Sequence, residues 1–303
     1  MNVSAYTIFR RACDEFTIPP TWSPDRWRRS PVFACGLTAL AVEAALRDQG
    51  AIHPVVLRDP EMLDPYLDGT RPDHARGVLG CSFGGRSPEV VAGLARAERC
   101  GVPTCRISRA MPGADILPDV VLPEPAPPAH LGHIVFAAVI PLLFSKPISL
   151  PVAPPVPNPT LLSSLADIFQ RGLLPVFIGA GHCLRARLLR SYWIEFLGRP
   201  AFTARYPDWT HDLLWALERS RDMRLALIIE PPTRDLPDHR YERMLGWATD
   251  RNLTHCVLQG GDDGTALHTL LAAADLMIRL AGVLGIAQTA ELIFDESGKV
   301  VSR

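Results

Sequence analysis

Lysine is almost missing from this chain. Lys146 and Lys299 are its only two in 303 residues, and arginine supplies the remaining side-chain cations. Acids and bases nearly cancel, leaving a formal net charge of -1. That balance argues against a general nucleic-acid binder, which needs a basic surplus to neutralise phosphates. Cys-x-x-Cys spacing is absent too. The seven cysteines (Cys13, Cys35, Cys81, Cys100, Cys105, Cys183 and Cys256) are odd in number, so they read as reduced, mostly buried thiols of a cytoplasmic protein rather than a disulfide framework. His182-Cys183 is followed by no further ligands at metal-binding spacing, so no metal is expected. The opening MNVSAYTIFRRACDEF lacks the long apolar core of a signal peptide. The apolar run from Leu131 to Phe144 is short and contains Pro141, and that from Thr265 to Ala287 carries His268, Asp275 and Arg279. Both read as buried helices, not membrane spans.

What is present is a large apolar fraction, 48% of residues, and short apolar runs alternating with helical patterns. This alternation predicts α/β architecture: mainly parallel sheets flanked by helices. In the first half the strands are read at Val32–Cys35, Val55–Leu57, Val78–Cys81 and Thr104–Ile107, with helices over Thr38–Gln49, Ser87–Cys100 and Leu131–Phe144. In the second half the strands are Val176–Gly179, Ala201–Ala204, Leu225–Ile229 and Cys256–Leu258. Its helices cover Cys183–Leu197, His211–Glu218, His239–Arg251 and Thr265–Val283. Residues 147–159 are dense in proline and read as an extended linker between domains 1–146 and 160–303.

The halves repeat. PVFACGLTAL (31–40) aligns with PVFIGAGHCL (175–184), and GVLGCSFGGRSPEVVAGLA aligns with LALIIEPPTRDLPDHRYERML. The repeat places Glu230-Pro-Pro-Thr-Arg-Asp opposite Ser82-Phe-Gly-Gly-Arg-Ser. Equal folds need equal packing but not equal loops, so the hydroxyl-and-glycine loop points beyond fold maintenance. Gly84 and Gly85 let backbone N–H groups approach a ligand closely. Ser87-Pro88-Glu89 reads as N-cap, proline at the first helical position and an acid in the first turn. A helix N-terminus adds free N–H groups and a partial positive charge, while Ser82, Arg86 and Ser87 add side-chain donors. Together they form an anion cradle at the carboxyl end of a strand, suited to phosphate. The same residues also suit a plain strand–turn–helix junction in which Ser87 only caps.

SFGGRSPEVV resembles the phosphate loop of the sugar isomerase (SIS) domain family, Ser-x-Ser-Gly-x-Thr-x-Glu. Ser82 stands for the first serine, Gly85 for the glycine, Ser87 for the threonine and Glu89 for the acid; Gly84 replaces the second serine. ACGLTAL (34–40) resembles the family's first sugar-contacting loop, with Gly36 kept and Thr38 supplying a hydroxyl. Two tandem SIS domains in a chain this long resemble the phosphoglucose/phosphomannose isomerases. The resemblance implies a homodimer binding a phosphorylated sugar, with aldose–ketose isomerisation of a hexose 6-phosphate through an enediolate and no cofactor. Amino-sugar-phosphate deamination or isomerisation is the enzymatic alternative, and phosphosugar sensing without turnover is the other.

The same resemblance suggests catalytic residues. In RSYWIEFLGRPAFTARYPDWTHDLL (190–214), Glu195 matches the family's proton-shuttling base and His211 its ring-opening residue, which would serve its own or a neighbouring subunit's site. Lys299, in SGKVV, matches a substrate-contacting lysine near the C-terminus. The family's arginine after the first domain has no counterpart in PEPAPPAHLGH (123–133), where His130 or His133 would have to substitute; a neutral imidazole stabilises an enediolate less well than a guanidinium. Gly179-Ala-Gly181 lacks the third glycine of a dinucleotide fingerprint, so NAD is not expected. Arg185, Arg187 and Arg190 follow that loop and read as a solvated helix face, with attraction of an anion as the alternative.

Overall fold

The computed structural model describes residues 4–27, 30–47, 56–67, 77–85, 87–110, 117–123, 131–144, 158–179, 183–205, 224–231, 238–258, 265–286, 292–294 and 300–302. The chain divides into two compact units, essentially Val3–Val152 with Thr289–Arg303, and Ala153–Gln288. The proposed linker falls almost wholly outside the described residues, and its last proline, Pro159, already belongs to a helix.

The first unit is built on a five-stranded parallel sheet. Its strands are β1 (Val32–Ala34), β2 (Val56–Leu57), β3 (Val78–Cys81), β4 (Thr104–Arg109) and β5 (Val120–Leu122), in the order β2-β1-β3-β4-β5. β1 and β3 are buried throughout, which explains why their sequences are continuous apolar runs rather than alternating ones. Helix α3 (Gly36–Arg47) follows β1, α5 (Pro88–Arg99) follows β3, and α6 (Gly132–Leu143) follows β5. Phe33, Leu57, Leu63 and Val78 pack with Val90, Leu94 and Ala97 of α5 to form one core. Gly80 exists because α5 lies so close: a Cβ there would stand 2.6 Å from Leu94.

The other core is centred on α6, which is buried all round apart from Leu142 and packs between α3 and α1 (Ala5–Glu15). The N-terminal segment thus acquires a role its sequence did not disclose. Ser4 caps α1 by accepting from the Thr7 N–H, and Ala5, Ile8, Phe9 and Ala12 form its buried stripe. Further on, α2 (Pro24–Trp27) carries Trp27, and the short α4 (Asp64–Leu67) follows β2. Trp22 stacks on Trp27 at 5.8 Å, and its indole N–H donates to the Leu143 carbonyl at 2.6 Å, satisfying a carbonyl at the end of α6.

The second unit has a four-stranded parallel sheet: β6 (Leu174–Gly179), β7 (Phe202–Arg205), β8 (Leu225–Ile229) and β9 (Thr254–Val257), ordered β7-β6-β8-β9. Its helices are α7 (Pro159–Gln170), α8 (Leu184–Leu197), α9 (Asp238–Asp250) and α10 (Ala266–Val283). Val176, Ile178, Leu225, Leu227 and Ile229 face Met244 and Ala248 of α9. On the opposite face Phe177 meets Trp193 of α8 edge-on at 5.9 Å. By length and composition α10 could cross a membrane, but 67% of it is buried and it packs on α7 and α8, with Asp275 inside. A short antiparallel hairpin, β10 (Leu292–Phe294) with β11 (Val300–Ser302), completes the described chain.

Candidate functional site

The order β2-β1-β3-β4-β5 makes the chain reverse direction between β1 and β3. β1 leads through α3 to its neighbour on one side, while β3 lies on the other and leads through α5 to β4. Crevices for ligands open at such switch points, beyond the carboxyl ends of the strands. The described residues of the Ser82–Ser87 loop and the Gly36 turn occupy this edge. Gly36 opens α3 at φ +54, and Thr38 follows half-buried in the first turn. The two loops are neighbours: burial first, then the charge of Glu89 in α5, pushes the adjacent Cys35 thiol up to about 11.

The loop is tied together from within. Buried Ser82 donates its N–H to Ile107 at 3.2 Å and accepts the Gly85 N–H at 2.9 Å. Gly85, at φ +68, makes that turn in a region unfavourable to other residues. The Ser82 and Ser87 hydroxyls lie 2.9 Å apart, and the Ser87 N–H donates to Ser82 Oγ at 3.2 Å. Ser87 stands at the N-cap of α5 and Pro88 follows at the first helical position, as the sequence indicates. Yet the Ser87 hydroxyl makes no capping hydrogen bond. A hydroxyl pair spends one hydrogen on itself and keeps one to give away. Among the described residues nothing lies within 4 Å of where a Cβ on Gly84 would stand, so they leave the tip of the loop open.

Two residues join this edge that sequence reading missed. β4 runs to Arg109, two residues past its predicted end, which brings Ser108 and Arg109 beside the loop. A Cβ on Gly85 would lie 3.3 Å from Ser108 Oγ. The Arg109 N–H donates to the Phe83 carbonyl at 3.1 Å, and its guanidinium stands 5.3 Å from the centre of the Phe83 ring. Phe83 in turn lies directly on Gly132, where a Cβ would overlap its ring. His133, next in α6, is buried.

Glu195 belongs to α8 in the second unit. Its side chain reaches the surface, yet the protein packed around its carboxyl raises it from 4.5 to about 7 by desolvation. Its exposure to water keeps the energetic weight of that shift small. One turn earlier, Tyr192 is pushed well above its ordinary value by burial and then by the charges of Glu195 and Asp275. Arg86, His130, His211 and Lys299 lie outside the described residues. Among the described residues no cluster of three or more His, Cys, Asp or Glu is placed to hold a metal ion.

No family model and no curated protein matches the sequence. Solved structures do resemble the fold. The C-terminal domain of glucosamine-fructose-6-phosphate aminotransferase from Francisella tularensis superposes with a TM-score of 0.59 at 12% identity, covering 94% of each chain. Tagatose-6-phosphate ketose/aldose isomerase from Escherichia coli gives 0.53 at 14% identity, over 89% of this chain and 88% of that one. Glucosamine-6-phosphate deaminase from Thermotoga maritima gives 0.52 at 12%, over 94% and 92%. Across about nine-tenths of its length, then, this chain shares the α/β fold of these solved structures, parallel sheets flanked by helices.

Proposed function

We propose that the chain binds a phosphorylated sugar at the Ser82–Ser87 loop and interconverts its aldose and ketose forms, acting on a hexose 6-phosphate. The observation that carries the reading is the loop itself: two paired hydroxyls, an uncapped helix N-terminus and the open space over Gly84, all at a sheet switch point. The first turn of α5 and the spare hydroxyl hydrogen would donate to the ester oxygens, with Gly36 and Thr38 on the sugar side.

In this reading Glu195 takes the proton from the carbon beside the carbonyl, an enediolate forms, and the same carboxyl returns the proton to the neighbouring carbon. A carboxyl near 7 is ionised and reprotonated with similar ease at neutral pH, which suits a shuttle. His211 opens the sugar ring, Lys299 contacts substrate, and Arg86 with His130 completes the polar surround; the working form is a homodimer. No cofactor enters the step, since the proton and electron pair move within the substrate. The two amino-sugar-phosphate enzymes among the resembling structures favour an amino sugar as the second reading. Gly84 in the place of a serine, and the stretch 123–133 without arginine, favour sensing without turnover as the third.

The test is incubation with glucose, mannose, fructose and glucosamine 6-phosphates in deuterated water, followed by NMR. Deuterium entering C2 supports isomerisation, and ammonia release redirects the reading to deamination. Thermal stabilisation without either redirects it to sensing, and no response to any of the four refutes it.

A further inference from the structure

The second sheet repeats the strand order of the first, β7-β6-β8-β9 against β2-β1-β3-β4. It therefore has its own switch point, where β6 and β8 part. In the first sheet the residue that follows the strand at this place is Ser82; in the second it is Glu230. The Glu230 N–H donates to the Ile178 carbonyl at 2.8 Å, and its side chain turns back over β6. Oε2 lies 2.7 Å from where a Cβ on Gly179 would stand, with the Cys183 Cβ at 2.8 Å. Gly179 carries no side chain because a carboxylate lies on it.

Positive charge acts on Cys183, which shares the Gly179 floor with that carboxylate. Arg205 pairs with Gly179 in the β6–β7 register. Burial raises the Cys183 thiol, and the charges of Arg205 and of Arg187, a turn into α8, both act on it in opposition. Cys183 is itself buried at the N-cap of α8, at φ +42. The crevice thus contains what a small oxyanion requires, namely a helix N-terminus, two guanidiniums and a glycine floor, and it also contains an anion. We propose that Glu230 is a built-in counter-anion. Its carboxylate fills the crevice of the second sheet in the place of a small oxyanion, so this crevice takes no anionic ligand, and removing the side chain turns it into a phosphate site.

The test is a calorimetric titration of the full chain with inorganic phosphate. The wild type is compared with Glu230→Ser, which frees the space and restores the residue found at position 82, and with Glu230→Gln, which removes the charge but keeps the volume. The expected result is one more phosphate per chain in the serine variant than in the wild type, and no gain in the glutamine variant. An unchanged count in the serine variant overturns the proposal, as does an equal gain in the glutamine variant. Because the count is relative, it holds whether the wild type binds one phosphate or none. Should Glu230→Ser fail to fold, the wild type still decides. The amide resonances of Gly179, Cys183 and Arg205 must stay in place as phosphate is added, and their displacement overturns the proposal.

Discussion

Ser87→Asp separates the two roles open to Ser87. Aspartate caps helices as well as serine does, and its charge near a helix N-terminus adds about 0.3–1 kcal/mol of stability. Among the described residues the wild-type hydroxyl bonds only to Ser82, at 2.9 Å, a bond worth about 0.5–1.5 kcal/mol. The melting temperature of the variant should therefore stay close to that of the wild type. Anion binding should respond quite differently. An ester oxygen accepting from this hydroxyl pair would bring its phosphorus within about 4 Å of the new carboxylate, where each pair of unit charges repels by about 4 kcal/mol at an effective dielectric of 20. That amounts to a loss of roughly a thousandfold or more. Ser87→Ala, lacking the repulsion, should lose only about 1.5–3 kcal/mol, the worth of a hydrogen bond to a charged group. Calorimetry with a hexose 6-phosphate, alongside thermal melts, reads both quantities. If Ser87→Asp melts like the wild type and binds within tenfold of it, the ester does not sit at this loop.

Other consequences can be measured directly. The Glu195 carboxyl is raised from 4.5 to about 7 in the folded chain, so its contribution to stability is full below about pH 4.5 and is lost as pH rises through about 7. The stability of the wild type relative to Glu195→Gln should fall across that window in melts at stepped pH, and a flat difference would refute the shift. If Glu195 is the base, turnover should rise through the same pH range and vanish in the glutamine variant. Gly132→Ala drives a methyl into the Phe83 ring and should destabilise by about 1–3 kcal/mol through overpacking; adding Phe83→Ala should recover part of that loss, and strict additivity would show that the two positions do not meet. Thiol labelling of the native chain should strike exposed Cys100 first and spare buried Cys81 and Cys105; burial lifts the Cys105 thiol to about 12. Rapid native labelling of either buried thiol would contradict the packing of its strand.

The strands most legible in the sequence are those buried on both faces. Val78–Cys81 and Leu225–Ile229 were read with the ends the structure gives them, because a central parallel strand leaves an unbroken apolar run. Helix α7 was missed for a specific reason: Asn158-Pro159 ends the proline-rich stretch but also starts a helix, Asn158 accepting from the Thr160 N–H, and proline at a first helical position looks the same as proline in a connector. β5 was missed as well, being only three residues long with Val121 exposed between its buried neighbours. In the candidate site, Ser82, Gly85 and Ser87 were readable from residue type and order. Ser108 and Arg109 were not, since only the register of Cys81 against Ile107 places them beside the loop. Glu230 shows the same limit: the repeat located it opposite Ser82, but the direction of its side chain appears only once the chain is folded.

The cover that α1 gives to α6 bears on how this protein would be handled. A version trimmed of its first 27 residues, chosen to remove what looks like a dispensable leader, would uncover one side of the most apolar helix in the first unit and take away the indole that satisfies the Leu143 carbonyl. Such a product should clump during expression even though every strand and every candidate site residue is retained.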